Sequence, residues 1–216
     1  MRKSLNRIKK YYYDKHIDFY ASIAGSLIMG TANLITTIKQ FSWLTFNYCL
    51  FFYLLTAIKI LMTCLNKTEK KYNLFFIGGV SLIILLVPMT VAMVETIIER
   101  DAPIYIFDWM IYLYATYGMV KFIMSIRARY KARISGDILT SSMSWISLIS
   151  ATYTIQMMEF ALIATFDTDK SRSMFIMQFL THGAILIFTV FVIVYMFVGF
   201  VKCKTSFIAE QTNKAK

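Results

Sequence analysis

The chain has 216 residues, 58% of them hydrophobic and only 16% charged, with a mean hydropathy of +0.58 and a formal net charge of +11. Soluble domains carry about 25% charged residues and do not string apolar residues into runs of about twenty, so a soluble globular class is excluded. The alternating ten-residue pattern of a membrane β-barrel is also missing from the sequence, which leaves an all-α polytopic membrane protein.

Residues 1–16 hold Arg2, Lys3, Arg7, Lys9, Lys10 and Lys15 around Tyr11, Tyr12 and Tyr13. The segment reads either as an interfacial helix lying on anionic headgroups or as a disordered basic tail. A first apolar span follows over 17–38. It lacks a small-residue cleavage site and more spans follow it, so it reads as a retained helix. Ser22, Ser26 and Gly30 recur at every fourth residue of this span, with Ala21 and Gly25 beside them. Small residues at that spacing let backbones approach closely, so this helix is expected to pack on two sides and to offer a face for a homodimer.

The second span covers 43–65 and the third 74–94, separated by the basic stretch 66–71. Pro88 predicts a kink in the third. An acidic stretch with Glu95, Glu99, Arg100, Asp101 and Asp108 accompanies the entry to a fourth span over 104–126, followed by the basic run Arg127, Arg129, Lys131 and Arg133. After Gly136-Asp137 come a fifth span (139–165), a polar turn (166–173), a sixth span (175–201) and a basic tail (202–216). The expected organisation is a basic segment 1–16, a six-helix transmembrane domain 17–201 and the tail 202–216.

Charge sets the expected orientation. Six basic residues in 1–16, three in 66–71, four in 127–133 and four in 202–216 stand against Lys39, Arg100, Lys170 and Arg172 on the other side. This positive-inside bias predicts a multi-pass protein of the plasma membrane with both termini cytoplasmic. The basic segments then face anionic lipid headgroups, and nucleic acid is not an expected partner. Lys59 and Lys121 fall near the inner ends of their spans, where snorkelling to the headgroups is the expectation. Tyr53…Lys59, Tyr114…Lys121 and Tyr195…Lys202 share one ending, as an internal repeat or aromatic belts with inner lysines would both produce.

No enzyme motif is present: the sequence has no HExxH, phosphate-binding glycine loop or GxSxG. His16 and His182 are its two histidines, and Cys49, Cys64 and Cys203 have no metal-ligand or disulfide spacing. No catalytic residue, metal or cofactor is therefore expected.

Glu159 is the acid deepest in a predicted span. Thr152, Gln156 and Glu159 share one face of the fifth helix, and Gln178, His182 and Thr189 share one face of the sixth. Counted from the turn between them, Glu159 and His182 reach the same depth, about 10–15 Å in. A carboxylate there must face the bundle interior and be paired or protonated. The candidate binding residues are thus Glu159, His182, Gln156 and Gln178, read either as a proton- or cation-coupling site or as a hydrogen-bonded pair fixing two helices. Asn33 and Asn47 are candidates to join it. Ser144, Ser147, Ala151 and Thr154 make a small stripe on the fifth helix, either a wet path or a packing face.

Two stretches carry a family resemblance. Thr31-Ala32-Asn33-Leu34 with Lys39 and Ser42, and the basic run leading into Asp137-Ile138-Leu139-Thr140-Ser141-Ser142, resemble the six-helix membrane domain of cation diffusion facilitators. That family binds metal through paired His/Asp residues on its second and fifth helices. Here those helices offer Asn47, Tyr48 and Cys49, then Ser144, Ser147 and Ser150, and the family's cytoplasmic metal-binding domain is missing. The resemblance implies a shared scaffold and not metal transport. The chain is also similar to small uncharacterised six-helix membrane proteins of Gram-positive bacteria.

Two functions follow as expectations. One is a small transporter-like or accessory membrane protein built on the Glu159/His182 site. The other is a non-transporting interaction or scaffold protein that binds a partner or anionic lipid through its basic cytoplasmic face.

Overall fold

A computed structural model of the protein describes residues 2–40, 42–65, 73–98, 108–135, 138–166 and 172–214. Over these residues the chain is all-helical: α1 (Arg2–Gln40), α2 (Trp43–Leu65), α3 (Asn73–Ile98), α4 (Asp108–Ser135), α5 (Ile138–Phe166) and α6 (Arg172–Lys214). The 66–71 connection, Glu99, Arg100 and Asp101 of the acidic stretch, residues 104–107 of the expected fourth span, the Gly136-Asp137 break and most of the 166–173 turn lie outside the described residues.

Five of these helices contain stretches long and apolar enough to cross a membrane: Tyr20–Lys39, Trp43–Leu65, Asn73–Glu95, Ile138–Ile163 and Ile176–Ser206. The 23 residues of α2 rise about 35 Å, more than the roughly 30 Å of bilayer hydrocarbon. A chain in hydrocarbon must satisfy its backbone internally, which selects helix. Side-chain hydroxyls within the helices do the same by bonding back one turn: Thr36 to the Ala32 carbonyl at 3.0 Å, Thr56 to Phe52 at 2.8 Å and Thr154 to Ser150 at 2.7 Å.

Several helices outrun their expected spans. α1 continues unbroken from the basic segment into the membrane stretch, and α6 continues through residues 202–214. No proline interrupts either, and lysine and glutamine are good helix formers. α4 likewise carries the basic run 127–133 on its last turns, so helical spacing deals those charges onto different faces. α3 reaches Ile98, which makes Glu95 a helical residue and not a loop residue.

Burial is inverted relative to a soluble protein. Ile187 is 73% exposed, Tyr112 74% and Ile28 59%, while Lys59, Asn33, Gln156 and His182 are buried. An apolar exterior with polar groups turned inward is what a hydrocarbon solvent demands. The core forms where α2, α3, α4 and α5 converge, around Tyr48, Phe51, Phe52, Leu55, Leu82, Leu85, Tyr114, Ile149 and Tyr153. Ring contacts hold its centre, with Phe51 and Tyr153 at 4.4 Å and Tyr48 and Tyr153 edge-to-face at 6.1 Å. α1 packs on α2 and α4, α6 on α3 and α5, and α3 also on α5.

Candidate functional site

The densest polar contacts lie along α1. Ser22 and Ser26 stand one turn apart on a face shared with Gly25, Asn33 and Thr37. A Cβ on Gly25 would lie 2.7 Å from Cε2 of Tyr117, so only glycine admits the tyrosine ring of α4 there. That ring placement puts the Tyr117 hydroxyl 3.3 Å from Ser26 Oγ. The small-residue stripe is therefore occupied within the chain: Gly30 meets Phe52 and Tyr53 of α2, and Gly25 meets Tyr117 of α4.

Two lysines converge on this stripe. Lys59 of α2 donates to the Ser22 carbonyl at 3.2 Å, to Ser22 Oγ at 2.8 Å and to Ser26 Oγ at 2.9 Å. Lys121 of α4 donates to the same Ser26 Oγ at 3.3 Å and to the Tyr117 hydroxyl. Lys59 is 1% exposed and Lys121 6%. The snorkelling expected of both is overturned: their stems turn inward because α1 supplies oxygens at the depth of their ammonium groups. Lys202, the third lysine of the Tyr…Lys pattern, is exposed. The acid nearest in register, Asp18, stands one helical turn before Ser22 in α1, and its side chain lies outside the described residues.

A cleft of about 540 Å³ opens onto Lys121 between α1, α4 and α5. Small side chains make the space: Ala21, Ser22 and Gly25 on α1, Ser125 and Ala128 on α4, and Ser147 on α5. Arg127 and Lys131 stand at i+6 and i+10 from Lys121 and line the same cleft. Val120 and Met124, both lining it, also belong to the exposed apolar surface of α4. The cavity thus has a lysine at its deep end, Arg127 and Lys131 at its rim and an opening to the apolar exterior. Arg129 faces another way, donating to Ser141 Oγ at 2.8 Å and lying 4.1 Å above the Trp145 ring.

Farther along the bundle the asparagines have their own partners. Tyr114 donates its hydroxyl to Asn33 Oδ1, and Asn47 Nδ2 donates to Glu95 Oε2 at 2.7 Å. Glu95, assigned to a loop by a span boundary one residue too early, is thus a second inward-facing acid. Neither asparagine is bonded to Glu159.

The four residues singled out from sequence sit on α5 and α6. Glu159, half-buried, accepts a hydrogen bond from Thr181 Oγ1 at 3.3 Å. His182 is buried and its Nδ1 lies 3.0 Å from the Gln178 carbonyl, one turn back in its own helix. Its Nε2, and the Nε2 of buried Gln156, have no hydrogen-bond partner among the described residues. α5 and α6 pack together, and the acid bonds Thr181, the residue beside His182. Of the α5 stripe, Ser144, Ala151 and Thr154 are packed in the interior and Ser147 lines the basic cleft. No group of three or more potential metal ligands occurs among the described residues.

Comparison with protein-family models, curated proteins and solved structures gave no match for this chain.

Chemically, the cleft offers fixed cations and hydroxyl donors to an anion. Among the described residues, the side chains lining it are lysine, arginine, hydroxyl-bearing and apolar ones.

Proposed function

We propose that this protein is a six-span membrane protein that binds the anionic headgroup of a lipid in the cleft between α1, α4 and α5. The observation that carries this reading is the cleft itself: Lys121 at its deep end, Arg127 and Lys131 at its rim, and a wall of exposed Val120 and Met124 for the acyl chains. Phosphate is bound well by lysine and arginine, and the bond strengthens where water is scarce. Catalysis is not part of the proposal.

α4 is taken as the sixth span. Tyrosines, Lys121 and its basic last turns lower its average hydropathy, but Lys121, Tyr114 and Tyr117 are turned inward while Met119, Val120, Ile123 and Ile126 face out. With six spans and the basic bias of the connecting segments, both termini are cytoplasmic in a plasma membrane, and the cleft serves the inner leaflet.

The test is retention of lipid by the purified protein in nanodiscs, read by native mass spectrometry. An anionic lipid held in preference to phosphatidylcholine, and lost in the triple variant Lys121→Gln, Arg127→Gln, Lys131→Gln, is the expected result. Equal retention of anionic and zwitterionic lipid ends the reading.

A second reading, transport of a proton or small cation past Glu159 and His182, draws support from the Nε2 atoms of Gln156 and His182, which have no partner among the described residues. Buried polar atoms without partners mark a place for water or a ligand. Proteoliposomes carrying a pH-sensitive dye test it: a proton leak abolished by Glu159→Gln supports transport, and an identical trace for both proteins removes it.

A further inference from the structure

The geometry points to a phosphomonoester as the ligand of the basic cleft, seated on Lys121 with the ammonium group of Lys59 behind it. This rests on the anionic-lipid reading and names the headgroup chemistry that reading leaves open.

The argument begins with charge. Lys59 and Lys121 hold their nitrogens against one oxygen, Ser26 Oγ, at 2.9 and 3.3 Å. Both side chains are more than nine-tenths buried. Among the described residues the partners of both lysines are hydroxyls and a backbone carbonyl, which solvate an ammonium group but bring no opposing charge. Two cations in a water-poor interior are costly unless an anion comes to them. The place left open for that anion is the cleft, because Lys121 and Ser22 both line it. Lys59 reaches the cleft through Ser22, whose hydroxyl it contacts at 2.8 Å.

The number of charges then selects the ligand. A phosphodiester headgroup carries one negative charge and two unesterified oxygens. A phosphomonoester carries about −1.5 to −2 at neutral pH and three acceptor oxygens. With an anion seated, two ammonium groups that share the Ser26 hydroxyl, Lys59 also on Ser22 and Lys121 also on Tyr117, match the second and over-match the first. Arg127 and Lys131 at the rim attract either one, so they supply affinity without discrimination. Val120 and Met124 give an acyl chain an apolar path out of the cleft, which favours a lipid source over a free phosphate ester.

The experiment uses the full chain in phosphatidylcholine nanodiscs doped with equal small fractions of phosphatidic acid and phosphatidylglycerol. The expected result is about tenfold preferential retention of phosphatidic acid, the size of one charge-assisted contact. Lys121→Gln and Lys59→Gln should each bring that preference down toward unity, Lys121→Arg should keep most of it, and Arg127→Gln should lower both lipids alike. Asp18→Asn, which removes the acid nearest in register, should leave the preference intact or raise it; loss of binding in that variant overturns the seat. Equal retention of the two lipids above phosphatidylcholine overturns the monoester seat and leaves the anionic-lipid reading standing. Retention of neither overturns both. sn-Glycerol 3-phosphate displacing phosphatidic acid at matched concentration keeps the monoester seat but assigns it a soluble ligand, and overturns the lipid reading. Circular dichroism and gel filtration of each variant show that it is folded before its lipids are counted.

Discussion

Ser26 Oγ is shared by two lysines from different helices, Lys59 of α2 at 2.9 Å and Lys121 of α4 at 3.3 Å. One hydroxyl therefore ties three helices together and holds two lysine nitrogens side by side. A structural polar bridge in a membrane bundle normally joins neutral groups, or opposite charges. This one is stable only to the extent that its charge is compensated, which makes it a site where function and stability pull in different directions.

Lys121→Met tests that conflict. Methionine has a similar shape, removes one buried cation and leaves Lys59 with its three oxygens. Replacing buried charge by an apolar side chain of like volume is commonly neutral or stabilising by about 1–4 kcal/mol. In lipid-free detergent the variant should melt at or above the temperature of the parent, while added phosphatidic acid no longer raises that temperature. A large drop in detergent would show that the lysine is there for packing.

Gly25 should be intolerant of a methyl group. An alanine Cβ meets Tyr117 at 2.7 Å, and overpacking of that kind costs about 1–3 kcal/mol. Gly183, with nothing within 4 Å of its Cβ position, is the control: alanine there should be neutral or gain up to about 1 kcal/mol of helix propensity. Thermal unfolding of the two variants side by side separates a steric effect from a general dislike of alanine.

The Asn47–Glu95 hydrogen bond, at 2.7 Å, joins α2 to α3. A double-mutant cycle with Asn47→Ala and Glu95→Ala should return a coupling of about 1 kcal/mol, in the range of interhelical polar pairs. Glu95→Gln keeps an acceptor and should lose less than Glu95→Ala. Additive single effects would mean that the bond contributes nothing to stability.

Glu159→Gln should separate the two polar regions. Its hydrogen-bond partner among the described residues is a single threonine hydroxyl at 3.3 Å, from which an amide oxygen can equally accept. Stability should change by less than about 1 kcal/mol, and phosphatidic acid retention should be unchanged. A loss of lipid binding in this variant would connect α5 and α6 to the cleft in a way that the geometry does not.

Arg129→Lys should weaken the α4–α5 contact by about 0.5–2 kcal/mol, because an ammonium group replaces neither the planar stacking on Trp145 nor the bond to Ser141 in the same pose. Trp145 emission, isolated in a Trp43→Phe, Trp109→Phe background, should shift with it. An unchanged spectrum would mean that the stacked pair does not persist in the membrane.

Sequence periodicity alone carried the helical class and the position of five membrane stretches, because hydrocarbon imposes one answer on any apolar run of that length. It also exposed the small stripe of Ser22, Gly25, Ser26 and Gly30, since spacing along one helix is a local property. Helix ends were less legible. Nothing in residues 1–16 or 202–214 stops a helix, so α1 and α6 run past the apolar limits, and Glu95 fell one residue beyond a boundary drawn by hydropathy.

The partners of each polar residue were decided by tertiary structure. From sequence, Glu159 and His182 shared a depth, and Lys59 and Lys121 belonged at the headgroups. In the folded bundle the acid bonds Thr181, and the lysines turn inward to α1. Depth along a helix follows from counting residues, but which faces meet depends on how six helices pack. That packing rests on side-chain volume, above all the missing Cβ of Gly25 that lets Tyr117 and Lys121 reach Ser26.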